Sequence, residues 1–158
     1  MRDDSAMALE YRRGRSDEPP GSELVRELND LLDAQYPGRA ARPGSVTTPD
    51  EMVSPDGVFL VGYDDGRPIA IGGVRRLADG ICEIKRMYVV PCARSRGVGR
   101  ALLAALEDAA RELGYARVRL DAGPRQQHSR TLFEKTGYAE IGRYNQNHIA
   151  VYFAEKRL

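Results

Sequence analysis

The sequence predicts a single domain of the α+β class, with about seven strands and three helices. Short runs in which apolar and polar residues alternate indicate the strands, and apolar residues recurring every three or four positions indicate the helices. The chain has 158 residues, which is close to the length of a typical domain. A chain of this length buries roughly two-thirds of its surface, so it is expected to fold without disulfides or a structural metal.

Turn residues separate the predicted elements. Asp65-Gly66 and Asp79-Gly80 predict two tight hairpins, and Pro91 ends the third strand of that meander. In chain order, the predicted elements are strand 8–13, a helix over 22–36 capped by Ser22, strands 58–63, 68–77 and 81–90, a helix ending before Gly114, strand 116–121, helix 127–136, and strands 138–144 and 149–158.

Two segments are predicted to lie outside this regular structure. Residues 1–7 are polar and are expected to be disordered. Residues 39–55 contain several prolines and form a long loop with one helical turn after Thr48. Since long loops in small domains are often functional, this loop is a candidate substrate lid.

Composition excludes several classes of protein. The 24 basic residues nearly balance the 23 acidic ones, so a dedicated nucleic-acid binder is not expected. No apolar run is long enough to cross a membrane, and the N-terminus lacks the apolar core of a signal peptide, so a cytoplasmic protein without membrane or nucleic-acid partners is expected. Cys82 and Cys92 form no metal-ligand pattern with the two histidines, and no metal is expected.

The segment 94–100, between a predicted strand and a predicted helix, has the residues of an anion-binding turn. Glycines let the backbone approach a ligand closely, and the start of a helix presents unpaired N–H groups, which together suit a pyrophosphate. The two standard phosphate motifs do not fit. Leu102 occupies the third glycine position of the dinucleotide pattern, and Arg100-Ala101 follows Gly99 where the Walker loop needs Lys-Ser/Thr.

The pattern that does fit is R-x-x-G-x-G, formed by Arg94, Gly97 and Gly99. The preceding strand reads E-I-K-R-M-Y-V-V-P over 83–91, and L-F-E-K-T-G-Y over 132–138 is similar to an L-Y-x-x-x-G-F/Y segment. With these motifs the sequence resembles the GNAT superfamily of acyl-CoA-dependent N-acetyltransferases. The resemblance implies a GNAT-like fold, in which helices flank a central twisted mixed sheet of about seven strands.

The same resemblance implies acetyl-CoA as cosubstrate. Backbone N–H groups of the glycine turn would hold the pyrophosphate, and the pantetheine arm would enter between strand residues 87–89 and strand 116–121, which diverge. The Val89 N–H would stabilise the oxyanion that forms on the thioester carbonyl. The residues expected to contact the cofactor are Met87, Tyr88, Val89, Arg94, Ser95, Arg96, Gly97, Val98, Gly99, Arg100 and Phe133.

Glu83 is the candidate general base that deprotonates the amine, directly or through water. Strict alternation would place it on the same side of the strand as Met87 and Val89, unless a bulge intervenes. The alternative is a solvated carboxylate paired with Lys85 or Arg117.

The proton donor to the leaving thiolate is less clearly marked. The family's usual tyrosine is replaced by Phe133, which has no hydroxyl, so Tyr138, Tyr144, Tyr88 or a water molecule would take that role.

Residues 144–147 are read as part of the acceptor pocket, with a polar hairpin turn as the alternative. The pairs Arg75-Arg76 and Lys85-Arg86 are expected on solvated faces, although one pair could contact the adenosine 3′-phosphate or an acidic substrate. The predicted function is acetyl transfer from acetyl-CoA to a primary amine of a small molecule or peptide in a ternary complex. The alternative is an acyl-CoA-binding sensor with little turnover. The resemblance also allows a homodimer.

Overall fold

Seven strands form one mixed sheet in the order β1-β2-β3-β4-β5-β7-β6. The computed structural model describes residues 8–39 and 46–158. Neighbouring strands are antiparallel except β4 and β5, which are parallel. The predicted fold class is therefore confirmed. The strands are β1 Leu9–Arg13, β2 Val58–Asp64, β3 Arg67–Ala78, β4 Ile81–Val89, β5 Arg117–Ala122, β6 Ala139–Glu140 and β7 Tyr152–Arg157.

Within the described residues, three α-helices flank the sheet: α1 Gly21–Gln35, α2 Val98–Glu112 and α3 Gln127–Lys135. The helical turn predicted after Thr48 is present as a 3-10 helix, Pro49–Met52, and a second 3-10 helix, Pro91–Ala93, follows β4. The prediction of Ser22 as the cap of α1 was wrong, because the helix begins one residue earlier and Pro20 is its N-cap. The predicted disorder of residues 1–7 and part of the predicted lid, 40–45, lie outside the described residues.

The core lies on both faces of the sheet. On one face α2 buries the stripe that contains Leu102 and Leu106, and on the other α1 buries Leu24 and Leu28. Each such leucine contributes about 1.5–3 kcal/mol when it leaves water. None of the helices within the described residues combines the length and apolar character that a membrane span requires.

Strands β4 and β5 separate after a short paired stretch. Residues 81–83 of β4 pair with residues 117–119 of β5, and beyond them β4 continues to Val89 and β5 to Ala122 without a ladder between them. Because paired strands in a pleated sheet leave no space between them, this divergence opens a place where a ligand could enter the sheet.

The last two strands are shorter than predicted. The alternating pattern predicts one strand over 138–144, but β6 contains only Ala139–Glu140. The chain after Ile141 leaves the sheet, and Tyr144 and Asn145 reach back to hydrogen-bond with the buried Glu83 and the half-buried Asp121 near the divergence of β4 and β5. Buried carboxylates require hydrogen-bond partners, and this segment supplies them instead of continuing as a strand. The next strand, β7, begins at Tyr152.

Candidate active site

A cleft of about 380 Å³ occupies the gap between the diverging strands. It runs through the sheet, since its walls include residues from α1 on one face and from α3 on the other. The lining residues used below are Leu28, Leu32, Tyr36, Arg39, Lys85, Arg86, Met87, Asp121, Phe133, Asn147 and Ile149. The divergence of β4 from β5, which the family resemblance implied, is present.

Glu83 is the last residue of β4 that pairs with β5, at the apex of the gap, and it is completely buried. Its Oε1 accepts a hydrogen bond from Arg75 Nε at 2.9 Å and contacts Arg75 Nη2 at 2.8 Å. Its Oε2 accepts from Tyr144 Oη at 2.5 Å and Asn145 Nδ2 at 3.0 Å, with Lys85 Nζ at 3.6 Å. The alternative of a solvated carboxylate is therefore wrong: Lys85 is a partner, but Arg75 replaces Arg117 as the main one.

Asp121 is a second carboxylate in this network, and it lines the cleft. Its Oδ2 accepts hydrogen bonds from Asn145 Nδ2 at 2.7 Å and Asn147 Nδ2 at 3.3 Å, and Lys85 Nζ also lies at 3.3 Å. Asn145 thus joins the two carboxylates through one amide. The charges of Lys85 and Arg75 offset those of Glu83 and Asp121, and of these four residues Lys85 and Asp121 line the cleft.

A bulge in β4 changes the faces that its side chains occupy. Gly73 pairs with Lys85 and Ile71 with Tyr88, so β4 has one residue more than β3 in this interval, and Arg86 adopts a positive φ of 61°. Met87 and Val89 pack toward α2, whereas Tyr88 packs toward α1. Glu83 therefore does not share a face with Met87 and Val89; the expectation from strict alternation was wrong, because one inserted residue reverses the parity.

Main-chain groups of Val89 face the gap. Val90 N–H donates to the Ile69 carbonyl at 2.9 Å, which makes Ala70 and Val89 a non-hydrogen-bonded pair of the antiparallel ladder. In such a pair both N–H and C=O point away from the partner strand. The Val89 carbonyl accepts a hydrogen bond from Arg94 Nε at 2.9 Å, and the Val89 N–H points to the same side.

The glycine turn, residues 94–100, leads into the first turn of α2, which begins at Val98. Gly97 is the N-cap with φ of 78°, no side chain caps the helix, and its first turn contains no acidic residue. The first intrahelical bond of this end runs from Ala101 N–H to the Gly97 carbonyl. The N–H groups of the first turn are therefore available to an anion.

The side chains of this turn divide into two groups. Arg94, Ser95, Arg96 and Arg100 are exposed, whereas the Val98 side chain is buried in the core. Ser95 also has a positive φ, 63°. The turn thus presents backbone N–H groups and guanidinium groups to solvent, as a pyrophosphate site requires.

Residues 25–138 match the model of the Acetyltransferase (GNAT) family. The chain belongs to this family. An IAA acetyltransferase of Azospirillum brasilense is 33% identical over 121 residues, covering 76% of this chain and 77% of that protein.

Solved structures share the fold. A Klebsiella pneumoniae structure assigned to the acyl-CoA N-acyltransferases has a TM-score of 0.75 at 22% identity and covers 96% of this chain and 98% of its own. The PaiA N-acetyltransferase of Thermoplasma acidophilum, solved in complex with coenzyme A, has a TM-score of 0.68 at 16% identity, with 96% and 100% of the two chains covered.

Two tyrosines predicted for the GNAT site lie outside the cleft. Tyr88 is turned toward α1, where it packs beneath the Arg94 guanidinium at 5.5 Å. Tyr138 Oη donates to Glu107 Oε2 at 2.8 Å, and burial beside that carboxylate raises the pKa of Tyr138. Neither side chain lines the cleft, because each is held by a partner on a neighbouring element; Met87 and Phe133 do line it.

Tyr144 is the predicted tyrosine that reaches the buried carboxylate. Its ring packs edge-on against Phe153, with centroids 5.6 Å apart, and its hydroxyl donates to Glu83. Burial, together with the Glu83 charge, raises the pKa of Tyr144. Tyr144 is therefore held in its protonated form next to Glu83.

Sequence reasoning missed Arg75 and Asp121. The sequence favours a solvated face for Arg75, but its side chain is only 12% exposed and joins Glu83 to Glu51. A regular two-residue hairpin loop at 79–80 would place Arg76 opposite Glu83, but a register shift between Arg76 and Ala78 places Arg75 there instead, so no local signal marked Arg75. Asp121 had no local signal, because its partners come from a segment more than twenty residues later.

Proposed function

We propose that the protein transfers an acetyl group from acetyl-CoA to a primary amine of a small molecule or peptide, by direct attack in a ternary complex. The observation that carries this proposal is the divergence of β4 from β5 immediately beyond the buried Glu83. It leaves a cleft through the sheet that is open to both faces, so a donor and an acceptor can enter from opposite sides.

The donor side of the cleft fits coenzyme A. The uncapped first turn of α2, with Arg94, Arg96 and Arg100 around it, would hold the pyrophosphate through N–H groups and charge. Met87 and Phe133 would contact the pantetheine arm in the gap. When bound, acetyl-CoA supplies the activated acyl group.

The Val89 N–H is proposed to stabilise negative charge on the thioester oxygen. It points away from β3 and into the gap. A backbone donor is fixed by the sheet, so it needs no reorganisation as charge develops, which is the condition for effective transition-state stabilisation.

Glu83 is proposed as the base that receives the amine proton. It is buried and does not line the cleft, so the proton would reach it through a water molecule next to Asp121 and Lys85, which do. The amine nitrogen then bonds to the acyl carbon and the carbon–sulfur bond breaks. Phe133 has no hydroxyl and Tyr138 is bonded to Glu107, so we assign the proton for the thiolate to water.

Thiol release from acetyl-CoA tests the proposal. A panel of amino acids, polyamines, aminoglycosides and peptides is offered to the parent and to Glu83→Gln. We expect amine-stimulated release by the parent, and a loss of about 100-fold or more in kcat for the variant, the usual contribution of a general base being about 10²–10⁴-fold. Glu107→Gln is the matched control: Glu107 is also a buried carboxylate paired with a tyrosine and a lysine, but its partners Tyr138 and Lys156 do not line the cleft, whereas Lys85 beside Glu83 does.

The possible results distinguish the role of Glu83 as base from the question of whether the protein catalyses acetyl transfer. Equal rates for the parent and Glu83→Gln would reject Glu83 as base but retain the enzyme. The second candidate function, an acyl-CoA sensor, is motivated by Phe133 at the usual tyrosine position. It would be favoured if CoA raises the melting temperature while none of the amines stimulates release.

A further inference from the structure

Arg86 lies in an unusual place for an arginine. It occupies the bulge of β4 with φ of 61°, in the left-handed region that a non-glycine residue rarely adopts. Its side chain is half-buried and lines the cleft. Bulges redirect side chains, and strained backbone is retained where the surrounding structure or function requires it.

The charge of Arg86 is not balanced by a carboxylate. Within residues 8–39 and 46–158, Arg86 forms no ion pair, and its one side-chain hydrogen bond is to Asn29 Oδ1 at 3.3 Å. Lys85, its neighbour in the chain, is in contrast paired with both Glu83 and Asp121. A desolvated cation without a counter-charge is costly, so an anion bound at Arg86 would be stabilising.

The guanidinium of Arg39 lies near that of Arg86. Arg39 Nη2 reaches the Asn29 carbonyl, 3.5 Å away, so the two arginines meet at the same residue of α1. Burial and the nearby Arg39 charge lower the pKa of Arg86. Arg39 is paired with Asp33 at 2.9 Å, but that carboxylate is more than half exposed. Arg39 and Arg86 therefore bring two guanidinium groups to this part of the cleft, and the charge of Arg86 alone has no carboxylate partner among the described residues.

We infer that Arg86, with Arg39 beside it, binds an anionic group on the acceptor, so that the substrate is a small amine that also bears a carboxylate or a phosphonate-like group. This rests on the proposed amine acetylation. Among the described residues that line the cleft, Arg86 is the cation that lacks a carboxylate partner, so its guanidinium complements an anionic group on the acceptor. Leu28, Leu32, Tyr36 and Ile149 line the same space and would contact an apolar part of that molecule.

Coenzyme A is not the source of this anion. Its proposed phosphate site is the glycine turn beyond the end of β4, at the first turn of α2. Arg86 lies before Met87, and its guanidinium is directed to α1. The two positive regions are thus on different elements, and Arg86 is left to the acceptor.

Matched substrate pairs test the inference. Leucine, methionine and phenylalanine are each compared with the amine that lacks the carboxylate and with the corresponding aminophosphonate. We expect the parent to acetylate the acid-bearing member of each pair with a kcat/KM at least tenfold higher. Arg86→Ala should raise the KM of the acid-bearing member at least tenfold and change the KM of the plain amine less than twofold. The acid that the parent acetylates with the higher kcat/KM, the amino acid or the aminophosphonate, shows whether the site prefers a carboxylate or a phosphonate.

Three further variants complete the design. Arg86→Lys keeps the charge but loses the planar fork and should retain part of the preference. Arg86→Gly relieves the positive φ without restoring the charge, so it should behave like Arg86→Ala. Arg67→Ala removes an exposed arginine at the β2–β3 hairpin and should leave all pairs unchanged.

Several results would overturn the inference. Equal efficiency for both members of each pair would do so, as would an equal loss on both in Arg86→Ala. If no amine is acetylated although CoA binds, the proposed function fails, and calorimetric titration of the same amino acids into CoA-loaded protein decides the anion site. Binding that is lost in Arg86→Ala supports it; no saturable binding rejects it.

Discussion

At the scale of single residues, the buried Glu83 carboxylate depends most on Arg75. Both Nε and Nη2 of that arginine contact Glu83 Oε1. Removing one partner of a buried pair leaves an uncompensated charge, which costs about 3–5 kcal/mol. We therefore expect Arg75→Met to lower the free energy of unfolding in urea by about 3 kcal/mol.

Its control is the neighbouring Arg76→Met. Arg76 is 51% exposed and pairs with Asp79, whose side chain is almost fully exposed. Such surface changes usually stay within about 0.5 kcal/mol. A cost of under about 1 kcal/mol for Arg75→Met would show that Tyr144, Asn145 and Lys85 suffice to hold Glu83.

The two cysteines should differ in reactivity. Burial raises the pKa of Cys82 to about 12, whereas Cys92 is exposed. The thiolate is the reactive form, so at a pH of about 8 iodoacetamide should modify Cys92 and spare Cys82 in the folded protein. Mass spectrometry of peptides measures this, with urea-unfolded protein as the control in which both react. Equal labelling in the folded state would contradict the buried position of Cys82.

At the scale of elements, the glycine turn offers a test with a close internal control. Gly97 and Gly66 both have φ of 78°, and at neither residue does any atom lie within 4 Å of the position that an added Cβ would take. An L-residue in this region costs about 1–2 kcal/mol, so alanine at either position should destabilise the protein similarly.

Of the two variants, only Gly97→Ala is expected to weaken the binding of acetyl-CoA. Gly97 caps α2, where the pyrophosphate would bind, whereas Gly66 lies in the β2–β3 hairpin. Steady-state kinetics should show a KM for acetyl-CoA several-fold higher in Gly97→Ala and unchanged in Gly66→Ala. The same KM in both variants would argue that the turn does not hold the cofactor.

The helices, strands and turns also show which structural features can be predicted from short stretches of sequence. The hairpins and the turn at 94–100 were predictable, since Asp-Gly, Pro and Gly spacing act within a few residues. The bulge was not, because arginine at a positive φ leaves no mark in the sequence. The end of β6 was missed for a different reason: Tyr144 and Asn145 bond to carboxylates that are distant in the chain.

At the scale of the whole molecule, cofactor binding should stabilise the fold. A ligand that binds only the native state adds about 2.7 kcal/mol at about one hundred times its Kd. For a domain of this size that corresponds to a rise in Tm of roughly 5–10 °C. Thermal unfolding with CoA should show this rise, whereas NAD and ATP at the same concentration should give a clearly smaller one. A larger effect of either nucleotide would favour a nucleotide-binding protein instead.

The central claim is that the gap between β4 and β5 receives the acyl-carrying arm of the cofactor, next to Glu83. A crystal structure of the complex with CoA measures this most directly. We expect the pyrophosphate at the first turn of α2 and the pantetheine arm between the strands, within hydrogen-bond distance of the Val89 N–H. CoA bound elsewhere, or the arm lying outside the gap, would contradict the claim.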